Sequence, residues 1–157
     1  VDSTSKSMHF FEMTHNIEHF NLCEKLNIMP KSEIITIKII LKSEDKEIRV
    51  CEIAKKLNVS TPAVSRTLRR LEEKEYVERI TDKTDRRNTH VKVTTKGKDA
   101  FSADMHKMKS FMDCSLEHLS DTEVEQLIFL INKLHSSMQD ELKKINNNKI
   151  YEEKDTM

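Results

Sequence analysis

Ile53-Ala54-Lys55-Lys56-Leu57-Asn58-Val59-Ser60-Thr61-Pro62-Ala63-Val64-Ser65-Arg66-Thr67-Leu68-Arg69-Arg70-Leu71 is two short amphipathic runs with a break between them. Ile53, Ala54 and Leu57 give the first run, Cys51–Leu57, one apolar face. Asn58 follows, a residue that tolerates the left-handed conformation in which helices often end. Val59 is expected to pack inward. Ser60 is placed to cap the next helix, with Pro62 in its first turn, where a missing N–H costs nothing. Val64, Leu68 and Leu71 form the buried stripe of that second helix, which runs to about Glu75. Its other face carries Thr61, Ser65, Arg66, Arg69 and Arg70. Two helices joined by a short turn predict a helix-turn-helix. The second has short polar side chains to approach base edges and arginines to reach guanine or phosphate.

Beyond this stretch the apolar period changes from that of a helix to two. Tyr76–Thr81 alternates, as does His90–Thr94, which predicts a β-hairpin. The segment between them, Asp82–Thr89, is too long for a tight turn and forms a positively charged tip. Such a tip suits a narrow minor groove, where the negative potential is deepest. Upstream, Ile48-Arg49-Val50 could add a short edge strand. Pro30-Lys31-Ser32-Glu33 reads as a break and a helix start, and Ile34–Leu41 is read as helix despite its β-branched residues.

Outside the middle, Met8–Leu26 carries Phe10, Met13, Ile17 and Phe20 at steps of 3, 4 and 3, one helical stripe. Phe11, Leu22 and Leu26 add a second. After Gly97 the chain is helical again, with Ala100, Phe101, Met105, Met108 and Met112 in register. Ser120-Asp121-Thr122-Glu123 has the form of a capping box. Behind it Val124, Leu127, Ile131, Leu134, Met138, Leu142 and Ile145 form a near-heptad seam, expected to end at Asn146-Asn147-Asn148.

Composition agrees with this picture. The 157 residues include one Gly, two Pro and 34% charged residues. That excludes glycine-rich phosphate loops and turn-rich β architectures. No serine–histidine–aspartate context or convincing carboxylate pair appears, so no enzyme is expected. Three scattered cysteines argue against a disulfide framework. No apolar run reaches the roughly 18 residues of a membrane span. With no signal peptide visible, the expected location is cytoplasmic. The 27 basic and 27 acidic residues cancel, but unevenly: Arg49–Lys98 holds 14 basic residues against 7 acidic, so the flanks are acidic by the same margin. A basic middle attracts a polyanion.

In order and spacing, Ile53–Leu57, Val64-Ser65-Arg66, Leu71-Glu72, Asp82–Arg87 and Val93-Thr94-Thr95-Lys96-Gly97 resemble the MarR-type winged-helix transcription regulators. The wing, Asp85-Arg86-Arg87 followed by Val93-Thr94 and Gly97, is the most specific part. The resemblance extends over about Met8–Ile145. It implies a mainly α fold with a small β-hairpin: a winged helix-turn-helix over 30–98, flanked by dimerisation helices over 8–29 and 99–146, with a polar, disordered tail over 147–157. It implies a homodimer on a pseudo-palindromic double-stranded operator, acting as a ligand- or stress-responsive repressor. Thr61, Ser65, Arg66 and Arg69 would enter the major groove beside Pro62 and Ala63, with Ser60 and Arg70 nearer phosphates. Arg87 would enter the minor groove with Arg86 beside it, and Asp85 would brace the wing. Asn58 and Glu75 stand where the family often has Gly. The dimer has its own physical basis, since a winged helix of about fifty residues can bury only a small core, and the flanking stripes need partners.

Sensing is open. Cys23 could be an oxidant-sensitive thiol, but a plain helical cysteine is the simpler reading; Cys51 and Cys114 read as core residues. Glu12, His15, His19 and Cys23 follow at steps of 3, 4 and 4, metal-ligand types on one helical face, and otherwise a solvated stripe. No cofactor is required. Phe10, Phe11, Met105, Met108, Phe111 and Met112 could line a pocket for a small aromatic effector, or simply be core. A protein-interaction module of the same fold is disfavoured by the arginines.

Overall fold

The computed structural model describes residues 3–43, 47–81 and 89–154. These form two compact units, Val1–Lys109 and Ser110–Met157. In the first, α1 (Ser3–Glu18), α2 (Leu22–Lys25) and α3 (Lys31–Leu41) precede β1 (Glu47–Arg49), α4 (Val50–Leu57) and α5 (Thr61–Glu73). Then come β2 (Val77–Thr81), β3 (Thr89–Val93) and α6 (Thr95–Leu116), whose last residues belong to the second unit with α7 (Asp121–Lys154). The fold is mainly helical, with one small antiparallel sheet in the order β1-β3-β2.

The core lies in the first unit. Ile37 and Ile40 of α3, Ile53 of α4 and Leu68 and Leu71 of α5 are fully buried against Val91 of the sheet. This explains why α3 is helical. Its Ile-rich run has strand propensity, yet α3 meets α4, α5 and the sheet, and packing on that scale overrides propensity. Thr36 is buried with its Oγ1 donating to the Ser32 carbonyl at 2.7 Å, the bond a helical threonine makes with the preceding turn. The hairpin register pairs Val77 with Val93 and Arg79 with Val91. β1 adds to the outer side of β3, Ile48 facing Val91, so the expected edge strand is present one residue earlier.

Several expectations need correction. The first helix is not continuous over Met8–Leu26. It begins at Ser3, stops at Glu18 and resumes as α2, because Asn21 takes a left-handed conformation (φ 43°). The last helix does not stop at the three asparagines but continues to Lys154. Asn ranks in the middle of the helix scale, and extending a helix is far cheaper than starting one. Val59 does not pack inward. It is 47% exposed and lines an open cleft of about 350 Å³ with Ile35, Leu57 and Val64. Cys51 and Cys114 are exposed rather than core; Cys51 sits off the Ile53–Ala54 stripe that α4 buries.

Two junctions hold the winged helix to its neighbours. Asn58 (φ 53°) and Glu75 (φ 62°) are both left-handed, as the usual glycine at these places would be. At Asn58 the chain turns back so that the Val59 N–H reaches the Ala54 carbonyl at 3.1 Å. At Glu75 the Val93–Gly97 motif acts as a clamp. Thr94 Oγ1 donates to the Glu75 carbonyl at 2.7 Å, and the Thr94 N–H donates to the Tyr76 carbonyl at 3.0 Å. The same hydroxyl accepts the Gly97 N–H at 3.0 Å, capping α6. A Cβ on Gly97 would lie 2.1 Å from the Tyr76 carbonyl oxygen, so only glycine fits. The Lys96 ammonium hydrogen-bonds the Glu75 carboxylate and holds its pKa below the ordinary value.

Candidate nucleic-acid interface

α5 begins as its sequence requires. Ser60 has extended backbone angles, and its Oγ accepts the Ala63 N–H at 3.4 Å, with Pro62 in the first turn. Val64, Thr67, Leu68 and Leu71 are buried against the core. A helix advances about 100° per residue, so the opposite face presents Thr61, Pro62, Arg66 and Arg69 to solvent, with Ala63 and Ser65 half-buried at its edges. These predicted residues of α5 therefore share one exposed surface, and Arg70 turns away from it toward α3.

The arginines on that surface are held differently. Arg66 is exposed and has no ion-pair partner among the described residues. Arg69 pairs with Glu73 one turn later at 3.3 Å, both groups well exposed; such a pair is worth a few tenths of a kcal/mol. Arg70 directs its Nε to Glu33 of α3 at 3.3 Å. Asp85, Arg86 and Arg87, the predicted wing tip, lie outside the described residues; β2 and β3 set where the wing starts and ends.

Three cations escape the sequence reading. Arg49 of β1 and Arg79 of β2 border a cleft of about 300 Å³ with Thr61 and Ser65. Arg79 is braced by Glu72 of α5 at 2.8 Å. Lys55 of α4 lies on a second open groove with Lys42, Arg49 and His90. The only signal in the sequence was the general basicity of Arg49–Lys98. Which of these residues flank α5 depends on β1 joining the sheet beside β3.

The sensing candidates do not converge. Glu12 and His15 lie on α1 and His19 just past its end, all exposed, with the rings of His15 and His19 4.1 Å apart edge-to-face. Cys23 is carried away by the turn at Asn21 onto α2. Among the described residues no group of three or more His, Cys, Asp or Glu could hold a metal ion. The Met and Phe residues are not core either: Phe10, Phe11 and Met112 are exposed, while Met105, Met108 and Phe111 are half-buried.

A helix-turn-helix followed by a paired-strand wing and framed by long helices defines the winged-helix class. Residues 36–89 match the model of the MarR family, and the chain has the winged-helix fold. Among solved structures it is similar to MepR, a transcription regulator of the Staphylococcus aureus multidrug efflux pump MepA. The identity is 25%, over 84% of this chain and 97% of that one, with a TM-score of 0.66. FabT of Streptococcus pneumoniae, solved in complex with DNA, matches at 24% identity over 88% of this chain and 99% of that one, with a TM-score of 0.64. A cysteine mutant of MarR from Escherichia coli, solved with operator DNA, matches at 24% identity over 85% and 99%, again with a TM-score of 0.64.

Proposed function

We propose that this protein is a DNA-binding transcription regulator, a homodimer that recognises a pseudo-palindromic double-stranded operator and represses from it. The observation that carries this reading is the exposed face of α5. Arg66 stands free there between short hydroxyl side chains, at the N-terminal half of a helix whose other face is locked into the core. Such a helix edge fits a major groove, and the segment between β2 and β3 is basic in sequence, as a minor-groove contact requires. The DNA-bound relatives of the same fold support it. The dimer is supported by the apolar side chains left exposed on the single chain. Phe10, Phe11 and Ile17 on α1 and Leu127, Ile131 and Met138 on α7 are each at least 42% exposed, more than a stable monomer ordinarily leaves in such runs. Two copies would set two recognition helices about one DNA turn apart. The protein acts by binding rather than catalysis. An effector would work by preferring one spacing of the two helices over the other. Among the described residues no helix is long and apolar enough to cross a membrane.

Selection of bound duplexes from a random pool, followed by titration of the winner, tests the reading. Arg87→Ala is expected to weaken the selected site by about 1–3 kcal/mol. Arg66→Ala is expected to reduce the preference for that site more than it reduces binding to random duplex. A protein that enriches no sequence and ignores duplex at low salt is not this regulator.

A further inference from the structure

Glu33 is the least expected buried group in the molecule. It lies in the first turn of α3, is 1% exposed, and meets two cations from a distant stretch of chain. Lys74 Nζ donates to Oε2 at 2.8 Å, and Arg70 Nε stands 3.3 Å from Oε1. Arg70 also leans on the Thr67 hydroxyl at 3.5 Å.

The helical period explains why these two cations and not a third. Arg66, Arg70 and Lys74 follow at steps of four, and each step turns about 40° around the axis. Arg66 therefore faces outward from the core. Arg70 has rotated toward the flank of α5 that faces α3, and Lys74, at the end of the helix, has rotated further. Both remain about half exposed, at 52% and 42% of the side chain, while the carboxylate between them is enclosed. A buried carboxylate is tolerated only when fully paired.

We infer that Glu33 is a specificity-determining residue: its buried carboxylate draws Arg70 and Lys74 off the nucleic-acid surface, and thereby fixes the rotation of the recognition helix so that Arg66 alone of that cationic row faces the duplex. This rests on the DNA-binding reading above. Cations free to reach phosphate strengthen binding to any sequence. Holding two of them on one buried carboxylate, which cancels one of their two charges, reduces that indiscriminate attraction and leaves the base-reading edge in control. The same two bonds tie α3 to α5 at one end of their contact, so the edge cannot swivel.

The test measures affinity for the selected duplex and for random duplex across a range of salt, with folding followed by circular dichroism. In the wild type, Arg70→Gln and Lys74→Gln, made singly so that Glu33 keeps one cation, are expected to leave the salt slope on random duplex unchanged. A fall of about one per lost cation, the counterion-release value, means that these residues already contact phosphate and overturns the inference. Glu33→Met, close in size and uncharged, is expected to tighten binding to random duplex, steepen the slope by between one and two, and reduce the ratio of selected to random affinity at least tenfold. An unchanged ratio and slope in a folded Glu33→Met protein also overturns it. Should Glu33→Met fail to fold, the two single Gln variants decide the matter. A wild type that binds no duplex removes both readings, whereas a wild type that binds, with a folded Glu33→Met indistinguishable from it, removes only this one.

Discussion

The winged helix and α7 carry equally regular apolar patterns, and they meet opposite fates. In the winged helix each periodic residue finds a neighbour in the same unit: Val64, Leu68 and Leu71 disappear against Ile37, Ile40 and Ile53. On α7 the seam residues Leu127, Ile131, Leu134, Met138, Leu142 and Ile145 are all exposed, and so are Ile128, Phe129 and Leu130 beside them. Periodicity specifies which side of a helix is apolar, not what covers it. A helix apolar around most of its girth is built to be surrounded, and the stretch Leu127–Ile131 is of that kind, whereas the later seam is a single stripe suited to one partner.

The contrast can be broken most directly by matched substitutions. Leu68→Ala is expected to cost about 2–5 kcal/mol in unfolding free energy, measured by denaturant titration, because it empties a filled core. Ile131→Asp is expected to leave the melting of the winged helix almost unchanged and to convert a dimer to a monomer in sedimentation. Equal destabilisation of the winged helix by both would mean that α7 is not the open face described above. A smaller effect is expected at the clamp. Gly97→Ala drives a methyl into the Tyr76 carbonyl and is expected to cost about 1–3 kcal/mol, as overpacking does. A cost near zero would show that α6 can retreat from the α5–β2 turn.

The smallest effect concerns the start of α7. The Ser120 backbone N–H and then its hydroxyl bind the Glu123 carboxylate and lower its pKa. A carboxylate whose folded pKa is depressed contributes stability above its ordinary value and loses it as pH falls through the lowered one. In an acid titration followed by NMR, the Ser120 amide shift is expected to move with a midpoint below that of an ordinary glutamate, and to stay flat in Glu123→Gln. A midpoint at the ordinary value would mean that the box does not close in solution.

What could be read from the sequence was local. The Ser60 cap, Pro62, the Ser120 box and the left-handed Asn58 all depend on neighbours within four positions, and each is where its chemistry demanded. Glu75 was conspicuous as a non-glycine in a glycine position, although the threonine that steadies it lies 19 positions away. The missing pieces were non-local or cooperative. The turn at Asn21 breaks a stripe that would otherwise continue. Glu33 meets Lys74 across 41 positions, and no spacing rule links them. Arg49 flanks α5 only because β1 joins β3.

That last pairing bears on the order in which the protein is made. β1 binds the outer side of β3 rather than β2, and the buried Asp104 carboxylate accepts the Met29 N–H at 2.9 Å from 75 positions downstream. On a ribosome, α3, α4 and α5 emerge early enough to begin assembling together, but the sheet cannot close until β3 follows, nor the segment before α3 be fastened until Asp104 does. Until then the nascent helix-turn-helix travels with its first strand unclaimed, an open edge that any other strand could take.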